Sequence, residues 1–396
     1  MKILFLVTED WYFWSHALKL ARTLRDAGAE VVVMTRLGAL RDPIEDEGFR
    51  VIPWRVVRKS LNPFREGLAF AEVVRAYHDE RPDLVHHAAL KPIVYGGIAA
   101  RLCGGIPSVN VVVGLGYVFA SQTTKMALVR RLVMRLLQIA LRPTSAKTIF
   151  QNDDNRKELV KWGIVNAERA LTIRGDGVDK HYFRPTPEPV GTPVVMMASR
   201  MLWEKGVADF VRAAEMVHEE GLPARFVLVG KPDPQNPGSI DESQLNAWCA
   251  NGSVEWWGSR DDMPDVIGQS NIICLPSFYG EGVPRALVEA AACGRAIVTT
   301  DMPGCRDVVR QGDNGILVPI HNPRMVADAV KKLIENPPLR AHMALRGRDL
   351  ILDEFSQDTV VSQMMGVYSH LLGDSWPALA SDSSEGSAER PSTLRN

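Results

Sequence analysis

The sequence predicts an α/β protein of two Rossmann-like domains, each a doubly wound parallel sheet covered by helices. Short apolar runs alternate with helix-length amphipathic segments, as successive strand–helix–strand crossovers require. The alternation occurs twice, on either side of the proline- and glycine-rich stretch RPTPEPVGTP at 184–193, which reads as an interdomain linker. At 396 residues the chain also exceeds one ordinary core and suits two domains.

In the first half the strands are expected at KILFLV, EVVVM, RVIPW, DLVHH, SVNVVV and KTIFQN, with helices around 15–28, 64–81, 92–104 and 124–142. In the second half VVMMAS, RFVLVG, VEWWG, IICLPS, AIVTT and GILVP read as strands. The expected boundaries are 1–185 for the first domain and 190–355 for the second, with a polar, Ser-rich, disordered tail at 374–396. Ligands of such sheets bind beyond the carboxyl ends of the strands, here in a cleft between two domains.

Composition excludes several classes. Hydrophobic residues at 46% and charged residues at 23% are ordinary for a globular protein, and a net charge of −1 gives no reason to expect a nucleic-acid partner. Five widely spaced cysteines with no C-x-x-C read as reduced thiols of a cytoplasmic protein, with neither disulfides nor a zinc site. The apolar start MKILFLV runs straight into Glu9 and Asp10, so it reads as a first strand and not a signal peptide. No stretch reaches the roughly 18 apolar residues of a membrane span.

The candidate chemistry concentrates in SFYGEGVPRALVEAAACG, 277–294. Pro284 suits the first position of a helix, and free N–H groups around Gly282 and Val283 ahead of it form an anion site. Glu289, one to two turns in, can accept paired hydrogen bonds from a vicinal diol such as a ribose. Glu281, in the loop, can meet hydroxyls beyond the phosphates. ASRMLWEKG at 198–206 adds Arg200 past a strand end and Lys205 near the next helix, a pair able to cradle a diphosphate. The plain alternative is that each is a solvated surface charge; together they outline a nucleoside-diphosphate site.

R-x4-K-G followed by E-G-x-P-x4-E-A-x-A-C-G-x-A-I-V resembles the nucleotide-sugar domain of the retaining glycosyltransferases of family 4, which have the GT-B fold. LVHHAALKPIVYGGIAAR, VVGLGYVF and GCRDVV look more narrowly like bacterial enzymes that extend polyprenyl-diphosphate-linked saccharides, of the bacillosamine N-acetylgalactosaminyltransferase and capsule-synthesis types. The resemblance implies an acceptor-side first domain, a nucleotide-sugar-binding second domain, and a helix at 356–373 that crosses back to the first. It implies that Arg200 and Lys205 hold the donor diphosphate, and that Glu281, Gly282, Val283 and Pro284 meet donor sugar and phosphates. Glu289 would hold the ribose, and the WGSR turn with Ser259 and Arg260 would pass the uracil edge. The implied reaction retains anomeric configuration, uses a UDP-sugar as substrate and needs no cofactor. No D-x-D metal motif is present, and the Arg/Lys pair makes a metal unnecessary for the leaving group.

On the acceptor side, His86 and His87 close a strand and are catalytic candidates, with His16, Lys91, Gly114 and Gly116 as further acceptor-side residues. The chain departs from wider family patterns here: TEDWYFWS replaces a glycine-rich first loop and HHA replaces H-x-H. TKMALVRRLVMRLLQIALRP, 124–143, carries Lys125, Arg130, Arg131 and Arg135 among leucines with no acidic residue, and reads as a face for an anionic membrane. A core helix with snorkelling arginines is the alternative. A lipid-linked acceptor favours the membrane, and places the enzyme at the inner face of the cell membrane. A nicotinamide oxidoreductase fails because the first βα turn lacks G-x-G-x-x-G. A UDP-sugar epimerase of the same fold and a non-catalytic nucleotide-sugar-binding protein stay open as alternatives.

Overall fold

The computed structural model describes residues 1–58, 60, 62–114, 119, 124–234, 236–280, 282–373 and 376. Two parallel sheets organise it. The first has seven strands: β1 (Lys2–Glu9), β2 (Glu30–Arg36), β3 (Arg50–Pro53), β4 (Leu84–Ala88), β5 (Ser108–Val112), β6 (Ala146–Phe150) and β7 (Ala170–Thr172). Their order across the sheet is β3-β2-β1-β4-β5-β6-β7. The second has six: β8 (Val194–Ala198), β9 (Arg225–Val229), β10 (Glu255–Trp256), β11 (Ile272–Leu275), β12 (Ala296–Thr300) and β13 (Gly315–Val318), in the order β10-β9-β8-β11-β12-β13.

Strands β4, β5, β8, β11 and β12 are buried along their whole length, as a sheet covered on both faces demands. In each sheet the strand order reverses once, between β1 and β4 and between β8 and β11. Crevices open at such switch points, so loops after these four strands are where a ligand is expected.

The chain crosses between domains twice, and the two crossings bond to each other: Val178 N–H donates to the Phe355 carbonyl at 2.9 Å, and Gln357 N–H to the Val178 carbonyl at 3.0 Å. Beyond the second crossing the helix Gln357–Leu372 buries Val360, Val361, Met364, Met365 and Tyr368 in the first domain's core. The proline-rich stretch read as a linker is fastened to the second domain. Buried Arg295 donates to the carbonyls of Thr186, Pro187, Ile267 and Gly268 and to the Thr186 hydroxyl. Arg340 pairs with Glu188 at 2.7 Å, and Asn271 Nδ2 reaches the Pro189 carbonyl. The tail beyond Trp376 lies outside the described residues. Among the described residues no helix is long and apolar enough to cross a membrane.

Candidate active site

The second domain's switch point assembles two loops. After β8 the chain turns through Arg200 into the short 3-10 turn Trp203–Lys205 and then Gly206. Gly206 has φ +80°, and a Cβ there would lie 2.0 Å from the Pro276 carbonyl oxygen, so only glycine lets this turn lie against β11's exit. Phe278 N–H donates to the Glu204 carbonyl at 3.1 Å and ties the β8 and β11 loops together. Arg200 and Lys205 therefore stand beside the segment that runs from Ser277 into the helix Arg285–Ala292. Arg200 is half exposed and pairs with Asp233 at 2.8 Å, while Lys205 is partly buried and partnered.

Glu289 lies inside that helix with its side chain almost covered. Burial pushes its carboxyl above the usual range, offset in part by Arg285 and by His16. Arg285 Nε donates to Glu289 Oε1 at 3.1 Å, and its NH1 donates to the Ser15 carbonyl of the first domain at 2.6 Å. Pro284 has extended ψ and caps the helix, which begins at Arg285, one residue later than the proline's preference suggested.

The free N–H expected at Val283 is not free. It donates to Gln151 Oε1 at 3.3 Å, and the Gly282 carbonyl accepts from Asn152 Nδ2 at 3.0 Å. Both amides come from the end of β6 in the other domain. Arg260 is engaged as well: its guanidinium forks onto Asp262 at the surface, beside exposed Ser259.

Across the cleft, the first loop leaves β1 at Asp10, whose carboxylate accepts from the N–H groups of Trp11, Gly38 and Leu40. A π-helical turn, Phe13–Ala17, follows and carries His16. The His16 ring stacks on Tyr12 at 4.5 Å, and its Nδ1 lies 2.8 Å from Asp176 Oδ2. His16, Tyr12, Asp176 and His86 line a small cavity beneath the crossing helix.

Two acceptor-side expectations require correction. His87 is 0% exposed: Nδ1 meets Asn110 Oδ1 at 2.7 Å and Nε2 meets the Tyr77 hydroxyl at 2.8 Å. Both ring nitrogens are consumed under the helices, so His87 is a core residue. Successive strand residues face opposite sides, and its neighbour His86 faces the crossing helix, with Nδ1 2.5 Å from the Tyr368 hydroxyl. Burial, with each other's charge adding at His86, pulls the two imidazoles down to about 3 for His86 and about 4 for His87. Both are neutral near pH 7. Lys91 donates to the carbonyls of Val57 and Ser60 and to Glu66, at 2.8 to 2.9 Å. Its three donors staple the loop before the helix Pro63–Glu80 instead of facing an acceptor. Gly114 is partly buried just past β5; Glu281, Gly116 and the side chain of Lys125 lie outside the described residues.

The basic helix Thr124–Leu141 divides its leucines. Leu137 and Leu141 are buried in the first domain's core, whereas Leu128 and Leu132 are 68% and 61% exposed. Arg131, Arg135 and Arg142 share the exposed side with them, while Arg130 is partly buried and donates to the Phe119 carbonyl. Core packing thus accounts for one face of this helix, and the other face leaves its leucines and arginines exposed.

Residues 2–152 match the family described as glycosyl transferase 4-like, and residues 192–336 match glycosyl transferases group 1. A phosphatidyl-myo-inositol mannosyltransferase of Mycobacterium leprae is 34% identical, over 89% of this chain and 91% of its own length. The chain is a group 1 glycosyltransferase. An N,N'-diacetylbacillosaminyl-diphospho-undecaprenol alpha-1,3-N-acetylgalactosaminyltransferase of Campylobacter jejuni is 27% identical over 94% of this chain and 99% of its own. The transferase is thereby related to enzymes of undecaprenyl-diphosphate-linked glycans, and it is a hexosyltransferase. The crystal structure of Anabaena HepE with UDP and glucose superposes with a TM-score of 0.76 at 21% identity, over 93% of this chain and 99% of that one. The transferase has the GT-B fold.

Gln151, Asn152, Asp176 and Arg285 were not singled out from the sequence. Their only local signal was position: polar residues at the end of a strand, at the edge of a crossing, and in the first turn of the helix bearing Glu289.

Proposed function

We propose that this glycosyltransferase moves a sugar, an N-acetylhexosamine first among candidates, from a UDP-sugar to a polyprenyl-diphosphate-linked saccharide, with retention of configuration. One observation carries the reading. Arg200 and Lys205 follow β8 and buried Glu289 follows β11, the two strands at the switch point of the second sheet, and Arg285 beside Glu289 reaches the first domain at Ser15. The Campylobacter relative, whose substrate is a diphospho-undecaprenol-linked sugar, supports the acceptor class, and UDP in the Anabaena neighbour supports the nucleotide.

In this reading Arg200 and Lys205 neutralise charge that builds on the departing diphosphate, a preorganised electrostatic contribution. Glu289 accepts both ribose hydroxyls, held in place by Arg285. Glu281 meets the transferred sugar. The acceptor hydroxyl approaches from the first domain, on the face the diphosphate leaves. The exposed leucine and arginine stripe of the helix Thr124–Leu141 rests on the anionic inner surface of the membrane, where the lipid-linked acceptor resides.

The test is UDP release from a panel of UDP-sugars, with and without a polyprenyl-diphosphate-linked monosaccharide. Release from one donor only in the presence of the lipid acceptor is expected. Interconversion of the donor without acceptor would instead identify an epimerase, and silence with every pair would leave a nucleotide other than UDP or a binding protein.

A further inference from the structure

The peptide unit joining Gly282 to Val283 is gripped at both ends by the opposite domain. Its carbonyl accepts from Asn152 Nδ2 at 3.0 Å, and its N–H donates to Gln151 Oε1 at 3.3 Å. Gln151 and Asn152 are 3% and 0% exposed, so neither amide can exchange this partner for solvent without moving. The fit admits no side chain at 282: a Cβ would come within 1.9 Å of Gln151 Oε1 and 2.4 Å of the Val113 carbonyl oxygen.

The polarity of the grip is fixed by what lies behind it. An amide side chain can present either its oxygen or its NH2, and its other partner decides which. Gln151 Nε2 donates to Asp176 Oδ1 at 3.0 Å, and a carboxylate only accepts, so the Gln151 oxygen must turn to Val283. Asn152 Oδ1 accepts from the Asn155 N–H at 2.8 Å, capping the helix Asp153–Lys161, so its NH2 must turn to Gly282. A peptide beside a glycine can flip at little steric cost; here one of its two orientations is selected by two oriented amides. Asp176 in turn holds His16 at 2.8 Å, so the same contacts connect the donor loop with the first loop of the other domain.

We propose that Gln151 and Asn152 are positioning residues for the donor: they lock the Gly282–Val283 peptide in one orientation and so set the loop that meets the donor's phosphates and sugar. The inference rests on the donor site proposed above. The residues do not touch the reacting atoms. They act from the domain opposite the nucleotide, which distinguishes them from residues that merely fold the first domain.

Asn152→Asp keeps the helix cap, since aspartate caps as well as asparagine, but it cannot donate to the Gly282 carbonyl. Gly282→Ala strikes the other half of the grip from the second domain, its Cβ falling on Gln151 Oε1. Each variant is expected to raise the KM for the UDP-sugar by about tenfold, the scale of one hydrogen bond to a buried group. The KM for the lipid acceptor should stay within about twofold, although the melting temperature should fall in both variants, because one buries a carboxylate against a carbonyl and the other forces a methyl group into a closed contact. Because both changes break one grip, the double variant should be little worse than either single variant. Wild-type donor KM in both folded variants, or fully additive losses, overturns the proposal. A wild-type protein that releases no UDP with any donor and acceptor instead overturns the reading of the site itself. A variant that fails to fold is replaced by the other, which lies in the opposite domain.

Discussion

Arg285 donates to Glu289 one turn along its own helix and, with the other arm of the same guanidinium, to the Ser15 carbonyl of the facing domain. A single cation thus orients the buried carboxylate and joins the two walls of the cleft. It also donates to Oε1 of Glu289 and so holds the carboxylate in one orientation.

If Glu289 receives a ribose, Glu289→Ala should raise the Kd for UDP by about tenfold or more, the usual weight of hydrogen bonds to a charged group. Burial raises the Glu289 carboxyl, so its charged form is lost at higher pH than for an ordinary glutamate. UDP affinity should therefore fall on acidification sooner than in Glu289→Gln, whose pH response should be flatter. Calorimetric titration of both variants from pH 7.5 down to pH 5 measures this. Wild-type affinity in Glu289→Ala removes the ribose assignment.

Arg200 is the clearest case of a side chain the fold does not need. Its pairing with Asp233 is half exposed, and such pairs contribute at most about 1 kcal/mol. Arg200→Ala should leave the melting temperature within about 2 °C and lower kcat at least about 100-fold, as loss of a transition-state charge partner does. A collapse in melting temperature with proportionate loss of activity would make Arg200 structural.

The fold was legible because buried parallel strands announce themselves as runs such as EVVVM, VVMMA and AIVTT, and the helices between them as amphipathic segments. The three-residue β7 was too short to leave such a run. The positions of Arg200 and Lys205 after β8 and of Glu289 in the helix after β11 were legible because switch-point loops have fixed places in this topology. His87 misled because a strand end suggests the cleft, yet the pleat turns alternate residues to opposite faces and sent it beneath Tyr77. The linker misled because prolines and glycines suggest freedom, whereas Arg295, over a hundred positions away, holds it down. Gln151 and Asn152 gave no signal beyond their place at the end of a strand. Their meaning comes from a contact with 282 and 283, on another sheet, that no local pattern encodes.

His86 and His87 predict where acid destabilises the protein. Their folded values of about 3 and about 4 lie below the ordinary value of 6.5, so the neutral forms are the ones the fold accepts. The contribution is fully present above pH 6.5 and is lost as pH falls from there toward 4 and 3. Each histidine then costs about 1.4 kcal/mol per pH unit, as linkage requires. Denaturant unfolding between pH 7 and pH 4.5 should show this slope, and His87→Gln should reduce it by about half, at some cost in stability at pH 7. An unchanged slope in that variant would mean that His87 is not titrating on unfolding.

If the acceptor is lipid-linked, as proposed, the exposed stripe Leu128, Arg131, Leu132, Arg135 on the helix Thr124–Leu141 is where the enzyme meets the membrane that carries it. Each arginine near an anionic surface contributes about 1 kcal/mol, and this attraction weakens with salt. Partial burial of a leucine at the headgroup boundary adds on the order of 1 kcal/mol. Sedimentation with anionic liposomes should carry the wild-type protein down, less so at 0.5 M salt and hardly at all with neutral vesicles. Arg131→Glu combined with Arg135→Glu should lower the bound fraction about tenfold or more, because two attractions become repulsions. Arg130→Gln is the internal control, since that guanidinium already serves the Phe119 carbonyl and points away from the stripe's exposed leucines. Equal pelleting of the double variant and the parent would retire this face as the membrane contact, and equal losses in the control and the double variant would trace the effect to a disturbed helix instead.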